Sequence, residues 1–226
     1  MHEYIAKENQ VADEITRIDG PVLFQNRNED NDGKTGRRFA RDRELLLKEY
    51  AKNPLEPRTL FYLAQTCECM NLDDEAMRYY LERTRTPEVG FIEEIFHAWL
   101  RLGNMCGRLN KPWETTCGYF MRAFEYDRAE PLVQMVRYYQ DKRMFGTAYH
   151  FAKLACQMKY PHHCSLFIGS KDYHYTRWHL MGIVAYYVGT DEAMKDGERG
   201  CIEAIKYANQ EIDKSNLNFY IEARVS

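Results

Sequence analysis

Side chains able to coordinate a metal fall at three places in this sequence. Asn28, Asp30 and Asp32 alternate oxygen ligands ahead of Gly33, the way a calcium loop begins. The closing bidentate carboxylate of such a loop would fall on Phe39, so a solvated turn is the stronger reading. His162, His163 and Cys164 are adjacent, with His174 and His179 downstream. Imidazole and thiolate suit zinc, but neighbours in sequence rarely close a tetrahedron and no Cys-x2-Cys pair completes the set. A polar loop is expected there, with zinc as the alternative. Asp73-Asp74 has the composition of the acidic metal pair in sugar-nucleotide enzymes, yet it sits where two helices should turn, which makes it a helix-capping element. The seven cysteines (Cys67, Cys69, Cys106, Cys117, Cys156, Cys164 and Cys201) show no pairing pattern and read as reduced thiols used as small hydrophobes. No glycine-rich phosphate loop, nucleophile elbow or Cys/His pair at catalytic spacing occurs. The residues therefore predict no catalytic centre, no metal and no cofactor.

The remaining chemistry is anion binding by arginine, and composition bounds it. The chain has 226 residues, 31 Lys+Arg against 34 Asp+Glu, and a formal net charge of −3. That balance argues against a general phosphate-binding surface, and so against nucleic acid, while leaving room for a local basic patch. A 14% aromatic content is that of a folded chain, with length for one domain or one domain plus an appendage. No run of about 18 uncharged apolar residues predicts a membrane span. Met1-His2-Glu3-Tyr4 is charged where a signal peptide needs an apolar run, so a cytoplasmic chain is expected.

Residues 1–36 differ from the rest. Gly20-Pro21 leads into Val22-Leu23-Phe24, a turn entering a short strand, and a polar loop rich in turn formers follows from Gln25 to Gly36. From Arg37 to residue 226 the pattern is helical. Arg41 to Tyr50 forms an amphipathic helix with Leu45, Leu46 and Tyr50 on one stripe. Beyond it a repeat emerges. Leu60, Leu63-Ala64, Cys67, Ala76 and Tyr80 fit the tetratricopeptide pattern, with a turn at Asn71-Leu72-Asp73-Asp74. Trp99, Leu102-Gly103, Cys106, Thr116, Phe120 and Ala123 fit it again around a turn at Leu109 to Pro112. Leu132, Met135-Val136, Tyr139, Ala148, Ala152 and Ala155 make a third unit, and Gly182-Ile183, Tyr186-Tyr187, Gly189 and Ala193 a fourth. The units start 39, 33 and 47 residues apart, so the last link carries an insertion around Pro161 to Tyr175. Small residues let paired helices approach, and large ones fill the space between pairs. The predicted fold is an all-α solenoid of about four helical hairpins, capped by a helix near Ile202 to Glu211.

In such a solenoid the first helix of each pair faces inward. Helical spacing puts Arg58, Tyr62 and Gln65, then Arg101, Asn104 and Arg108, then Gln134 and Arg137, then Arg177 on that face, opposed by Glu68, Glu130 and Asp141. This predicts a mildly basic, aromatic-edged groove suited to an acidic peptide, a carboxylate or a phosphate. The competing reading is that these arginines pair with neighbouring acids, and the sequence leaves both open.

Several phrases carry a resemblance beyond the repeat. They are Arg41-Asp42-Arg43-Glu44-Leu45-Leu46, Asn53-Pro54, Pro57 to Gln65, Arg128 to Leu132, Ala148-Tyr149 with Phe151-Ala152, Asp172 to Tyr175, and Ala185 to Gly189. Together they resemble the C-terminal helical region of family-2 glycosyltransferases that carry tetratricopeptide repeats. His2-Glu3-Tyr4 followed by Arg17 to Gly20 resembles the last strands of the transferase domain. The resemblance implies that His2 and Glu3 are the positions onto which a catalytic role could be carried, near a metal and sugar-nucleotide site. The α/β catalytic domain of that family would precede His2. Without it the resemblance implies a non-catalytic module recognising a protein or glycan acceptor. The alternative is the C-terminal part of an active transferase, which would bring a divalent metal and a nucleotide sugar with its upstream domain. A third reading is an adaptor that captures acidic C-terminal tails.

Overall fold

Helical periodicity in the sequence becomes ten α-helices in the computed structural model, which describes residues 32–86 and 89–225; no strand lies among the described residues. They are α1 (Asp32–Lys52), α2 (Pro57–Cys69), α3 (Asp73–Thr84), α4 (Ile92–Arg108), α5 (Trp113–Phe124), α6 (Glu130–Asp141), α7 (Phe145–Gln157), α8 (Arg177–Val188), α9 (Asp191–Ala208) and α10 (Glu211–Val225). Four hairpins, α2/α3, α4/α5, α6/α7 and α8/α9, stack in order, each helix packing chiefly on its neighbours in sequence. His2, Glu3, the strand expected at Val22–Phe24, and Asn28 and Asp30 lie outside the described residues. Asp32 and Gly33 open α1, so helix starts ahead of the Arg37 boundary read from composition.

The hairpin turns repeat one geometry. Asn71, Asn110 and Arg143 adopt left-handed φ values of 58°, 52° and 57°. The next residue's N–H then reaches back to a carbonyl five residues earlier: Leu72 to Cys67, Lys111 to Cys106 and Met144 to Tyr139. The left-handed residue itself donates to Glu68, Gly107 or Gln140. This is the Schellman ending, which satisfies orphan carbonyls and reverses the chain in a few residues. Gly189, at φ 71°, ends α8 in the same conformation. Asp73 and Asp74 make no capping bond from their side chains, a correction to the role read from sequence. They occupy the first turn of α3, where the helix dipole favours them, and Asp73 accepts from Arg108.

Close approach inside α4/α5 and α8/α9 depends on missing side chains. Phe120 of α5 lies against Gly103 of α4, where a Cβ would come within 2.5 Å of Phe120 Cδ1. In α8/α9 a Cβ on Gly182 would meet Cys201 Sγ at 2.6 Å, and one on Gly200 would meet Gly182 N at 2.8 Å. The core is accordingly a chain of overlapping clusters. One joins Leu46, Leu47 and Tyr50 of α1 to Leu60, Leu63, Tyr79, Tyr80 and Leu102. The next gathers Phe96, Phe120, Leu132, Met135 and Ala155, and the last Val133, Val136, Ala148, Ala152, Leu180, Met181 and Val184. Leu45 is 40% exposed, so the buried stripe of α1 runs through Leu46, Leu47 and Tyr50 rather than Leu45.

The cap also differs from expectation. The buried positions Ala193, Gly197, Gly200, Cys201 and Ala204 form one unbroken stripe, so Ile202 to Ala208 continue α9. Asn209, at φ 47°, ends it, and α10 is the capping helix. Tyr220 of α10 passes over Gly197 and donates to the Gly182 carbonyl at 2.8 Å. Asp213, fully buried, accepts from Tyr175 at 3.0 Å and lies 2.6 Å from His179 Nδ1.

Two substitutions in α4 should move stability in opposite directions. Gly103→Ala should destabilise by about 1–3 kcal/mol through overpacking against Phe120. Gly107→Ala, where a Cβ meets nothing within 4 Å, should stabilise by about 0.5–1 kcal/mol through helix propensity. Urea denaturation followed by circular dichroism measures both.

Candidate functional site

The inward helices each carry one polar stripe at helical spacing. On α2 it is Arg58, Tyr62, Gln65 and Cys69; on α4 Glu93, His97, Arg101, Asn104 and Arg108; on α6 Glu130, Gln134, Tyr138 and Asp141. These stripes divide across their length. Their C-terminal halves line two open clefts, and the N-terminal halves of α4 and α6 are covered by the chain itself.

The first cleft, of about 530 Å³, has Arg38 and Phe39 of α1, Tyr62, Gln65, Glu68, Arg101 and Arg108 among its walls. The second, of about 580 Å³, is lined by Asn104, Arg108, Lys111, Trp113, Gln134, Tyr138, Asp141 and Lys142 among others. They meet at Arg108. Five cations (Arg38, Arg101, Arg108, Lys111 and Lys142) line the pair against two acids, Glu68 and Asp141. Arg101 donates through two nitrogens to Glu68, which also accepts from the buried Tyr80 hydroxyl at 2.9 Å. Arg108 binds Asp73. Lys111 and Lys142 are exposed and make no ion pair among the described residues; Lys142 Nζ lies 5.7 Å from the Tyr138 ring centre. Trp113 and Tyr138 stack at 3.5 Å across two hairpins, and the indole N–H donates to Tyr139 at 3.1 Å.

Among the arginines named from sequence, cleft lining and pairing with neighbouring acids occur side by side. Tyr62, Gln65, Arg101, Asn104, Arg108 and Gln134 come together in the clefts, while Arg101 and Arg108 hold acids from the preceding hairpin. Arg58 lies over the Tyr62 ring at 5.4 Å. Arg137 is exposed and donates to Gln134 at 3.3 Å. Arg177 does not join the groove, which corrects its assignment. Its guanidinium donates to the Ala155 and Met158 carbonyls at the end of α7, and burial lowers its pKa. At the start of α8, Arg177 thereby acts as a clamp on the end of the preceding helix.

The covered half was invisible to helical projection. Residues 158–171 leave α7, cross the inner face and return through a π-helical turn, Asp172–Thr176, into α8. The Glu93 carboxylate accepts from Ser165 N at 2.9 Å and Leu166 N at 2.6 Å. Glu130 accepts from Gly169 N at 3.0 Å and the Tyr173 hydroxyl at 2.9 Å. Arg128, 2% exposed, pairs with Glu130 and donates to the Phe167 carbonyl at 2.7 Å. Phe167 stacks on His97 at 4.1 Å and meets Phe61 at 5.4 Å. Its φ of 56° is a left-handed conformation that costs an L-residue about 1–2 kcal/mol. A second buried arginine, Arg83, ties the α3–α4 link, binding Glu94 at 3.2 Å and the Thr86 and Phe91 carbonyls. Burial raises the Glu94 pKa even so. Two-residue proximity of Arg128 to Glu130 and the aromatic Phe167 were the only signals for this assembly in the sequence.

Catalytic and metal-binding candidates do not converge. Among the described residues no group of three His, Cys, Asp or Glu side chains is placed to hold a metal. His162 and His163 are exposed while Cys164 is buried; His174 stacks on Tyr160 and Tyr207, and His179 faces Asp213. All seven cysteines are free. Full or partial burial raises every thiol pKa, to about 12 at Cys156 and Cys201, which leaves them protonated and unreactive at neutral pH. No helix among the described residues is long and apolar enough to cross a membrane.

His97 gives this face a pH signature. Burial first, and then Arg101 and Arg128, push its pKa from the usual 6.5 to about 3, and its Nδ1 is buried without a partner. The unfolded chain therefore binds a proton at His97 that the folded chain refuses between about pH 3 and 6.5. The stability associated with neutral His97 is complete above pH 6.5 and is lost on acidification at up to about 1.4 kcal/mol per pH unit. In thermal melts from pH 7.5 to 4, His97→Phe should show a shallower fall than the native chain. Parallel falls would refute a neutral, buried His97.

No family model and no curated protein matches the sequence. Among solved structures, one of MamA aligns over 82% of this chain and 100% of its own, at 14% identity and a TM-score of 0.56. A second, of the MamA protein, covers 80% and 91%, at 15% identity and the same TM-score. A tetratricopeptide-repeat protein from Bacteroides fragilis covers 86% and 96% at 12% identity, with a TM-score of 0.46. At such identities the MamA likeness speaks of fold alone. With the glycine contacts and repeated turns described above, the fold is an all-helical solenoid of the tetratricopeptide type.

Proposed function

We propose that this chain is a non-catalytic binding module that holds an acidic segment of a partner protein along the open half of its inner face. The observation that carries the reading is the excess of five cations over two acids around two adjoining clefts, in a chain of net charge −3. Asn104 and Gln134 offer amides to a peptide main chain, and Trp113 with Tyr138 offers an aromatic wall. Arginines already fixed by acids of the preceding hairpin hold their shape, so a carboxylate arriving there loses little to reorganisation. Lys111 and Lys142 add charge at the rim, where it steers association more than it tightens it.

The finer proposal, that this module serves a glycosyltransferase, rests on the sequence phrases. Those phrases fall on α1, α2, the start of α6, α7, the π-helical turn and the end of α8, where they pair helices. In that reading the inner face receives an acceptor, protein or glycan. The alternative, the C-terminal part of an active family-2-type transferase, is favoured by His2 and Glu3. The reading frame ahead of Met1 separates the two, since only the transferase reading requires a sugar-nucleotide domain encoded there.

A fluorescein-labelled peptide rich in Asp and Glu should bind the chain and weaken as salt rises, because the contacts at the rim are screened over about 8 Å at physiological ionic strength. Lys111→Glu with Lys142→Glu should reduce its affinity by about tenfold, about 1.4 kcal/mol, without moving the melting temperature appreciably. Fluorescence anisotropy gives the affinities; equal binding by the double variant would remove the second cleft as the site.

A further inference from the structure

The strap across the first turns of α4 and α6 is held as a ligand is held. Its hydrogen bonds to the inner face run chiefly through its main chain: Ser165 and Leu166 donate to Glu93, Gly169 donates to Glu130, and the Leu166 and Phe167 carbonyls accept from Arg128. The Ser165 hydroxyl adds one side-chain bond to Glu93 at 3.3 Å, and two further positions are read by shape. The Phe167 ring lies 4.1 Å from that of His97 and 5.4 Å from that of Phe61. A Cβ on Gly169 would come 3.0 Å from Glu130 Cγ and 2.9 Å from an Asp172 carboxylate oxygen, so any larger residue there must push one of those side chains aside. Phe167 at φ 56° is in a conformation that bulky side chains keep only where their surroundings impose it, and such residues gather at ligand clamps and switches.

The groups on the other side are those of a recognition site. Glu93, Arg128 and Glu130 are charged and at most 8% exposed, and all three spend hydrogen bonds on the strap. The acids stand in the first turns of α4 and α6, at the positive ends of the helix dipoles. The same stripes then continue, through His97 to Arg101 and from Glu130 to Gln134, into the open clefts.

We propose that the covered half of the inner face is a second peptide-recognition site, and that residues 161–169 fill it in cis as a tethered ligand. The ligand class is a turn with two successive main-chain donors, an aromatic residue after them, and glycine two positions beyond the aromatic. Because tethering sets an effective concentration on the order of millimolar, the native site is closed to the same turn offered in trans. This site reads main-chain donors through acids and is independent of the basic clefts, whose failure to bind acidic peptides would leave it untouched.

A fluorescein-labelled peptide of residues 160–171 tests it against the native chain and Phe167→Ala. The variant should bind the peptide at least tenfold more tightly than the native chain does, and a peptide carrying the same Phe-to-Ala change should lose that gain. Equal binding to both chains, or none by a variant with native circular dichroism, overturns the proposal. Should Phe167→Ala not fold, amide exchange in Glu93→Gln decides. Exchange at Ser165 and Leu166 should quicken at least tenfold while α4 stays protected, and unchanged exchange there overturns it.

Discussion

Two helices of a hairpin can come close only where one of them has nothing to put between. Gly103 under Phe120 in α4/α5, and Gly182 with Gly200 in α8/α9, are where glycine does this, while α2/α3 and α6/α7 bury the small side chains of Ala64, Ala76, Ala148 and Ala152. The stacking of the hairpins follows from it, because each pair then presents its remaining large residues to the next pair and shares a cluster with it. Successive inward helices are thereby set side by side with their stripes in line. The inner face is a consequence of those contacts rather than an independent design.

On that face α4 lays its charge out in the sense its dipole favours, and α6 does so at its start. Acids stand in the first turns of α4 and α6, and arginine ends α4. The strap covers the acidic end, since a main chain offers N–H donors, and the basic end is left open. Buried arginines fix this division. Arg128 spans Glu130 and the strap, and Arg83 spans Glu94 and the α3–α4 link. Breaking either pair would strand a charge inside the protein, which is far costlier than losing an exposed pair. A rigid, half-covered groove is a preformed surface, and preformed surfaces bind without the entropy of ordering.

What the residues reveal in advance, and what they hide, follows the range of the interaction. The hairpins were legible because their signals are local: Ala64, Gly103 and Gly182 at repeat spacing, and turns that Asn71 and Asn110 can enter with little strain. Six of the inward residues named from spacing line the clefts for the same reason. Arg177 was misplaced because the insertion before α8 changed which carbonyls it meets. The cap was misplaced because the small-residue stripe of α9 runs on past Ile202. The strap left only faint signals. Glu93 binds backbone 72 residues away, and nothing in Cys164-Ser165-Leu166-Phe167 announces that its main chain will meet two acids.

An inner face built to hold an acidic partner is tested most directly by where that partner lies. Amide chemical shifts of the labelled chain, followed as an unlabelled glutamate-rich peptide is added, locate it residue by residue. The shifts should concentrate in the C-terminal halves of α2, α4 and α6, around Gln65, Arg101, Asn104, Arg108 and Tyr138. Shifts gathered on the outward helices α5 and α7, or absent at millimolar peptide, would contradict an inner face built to hold it.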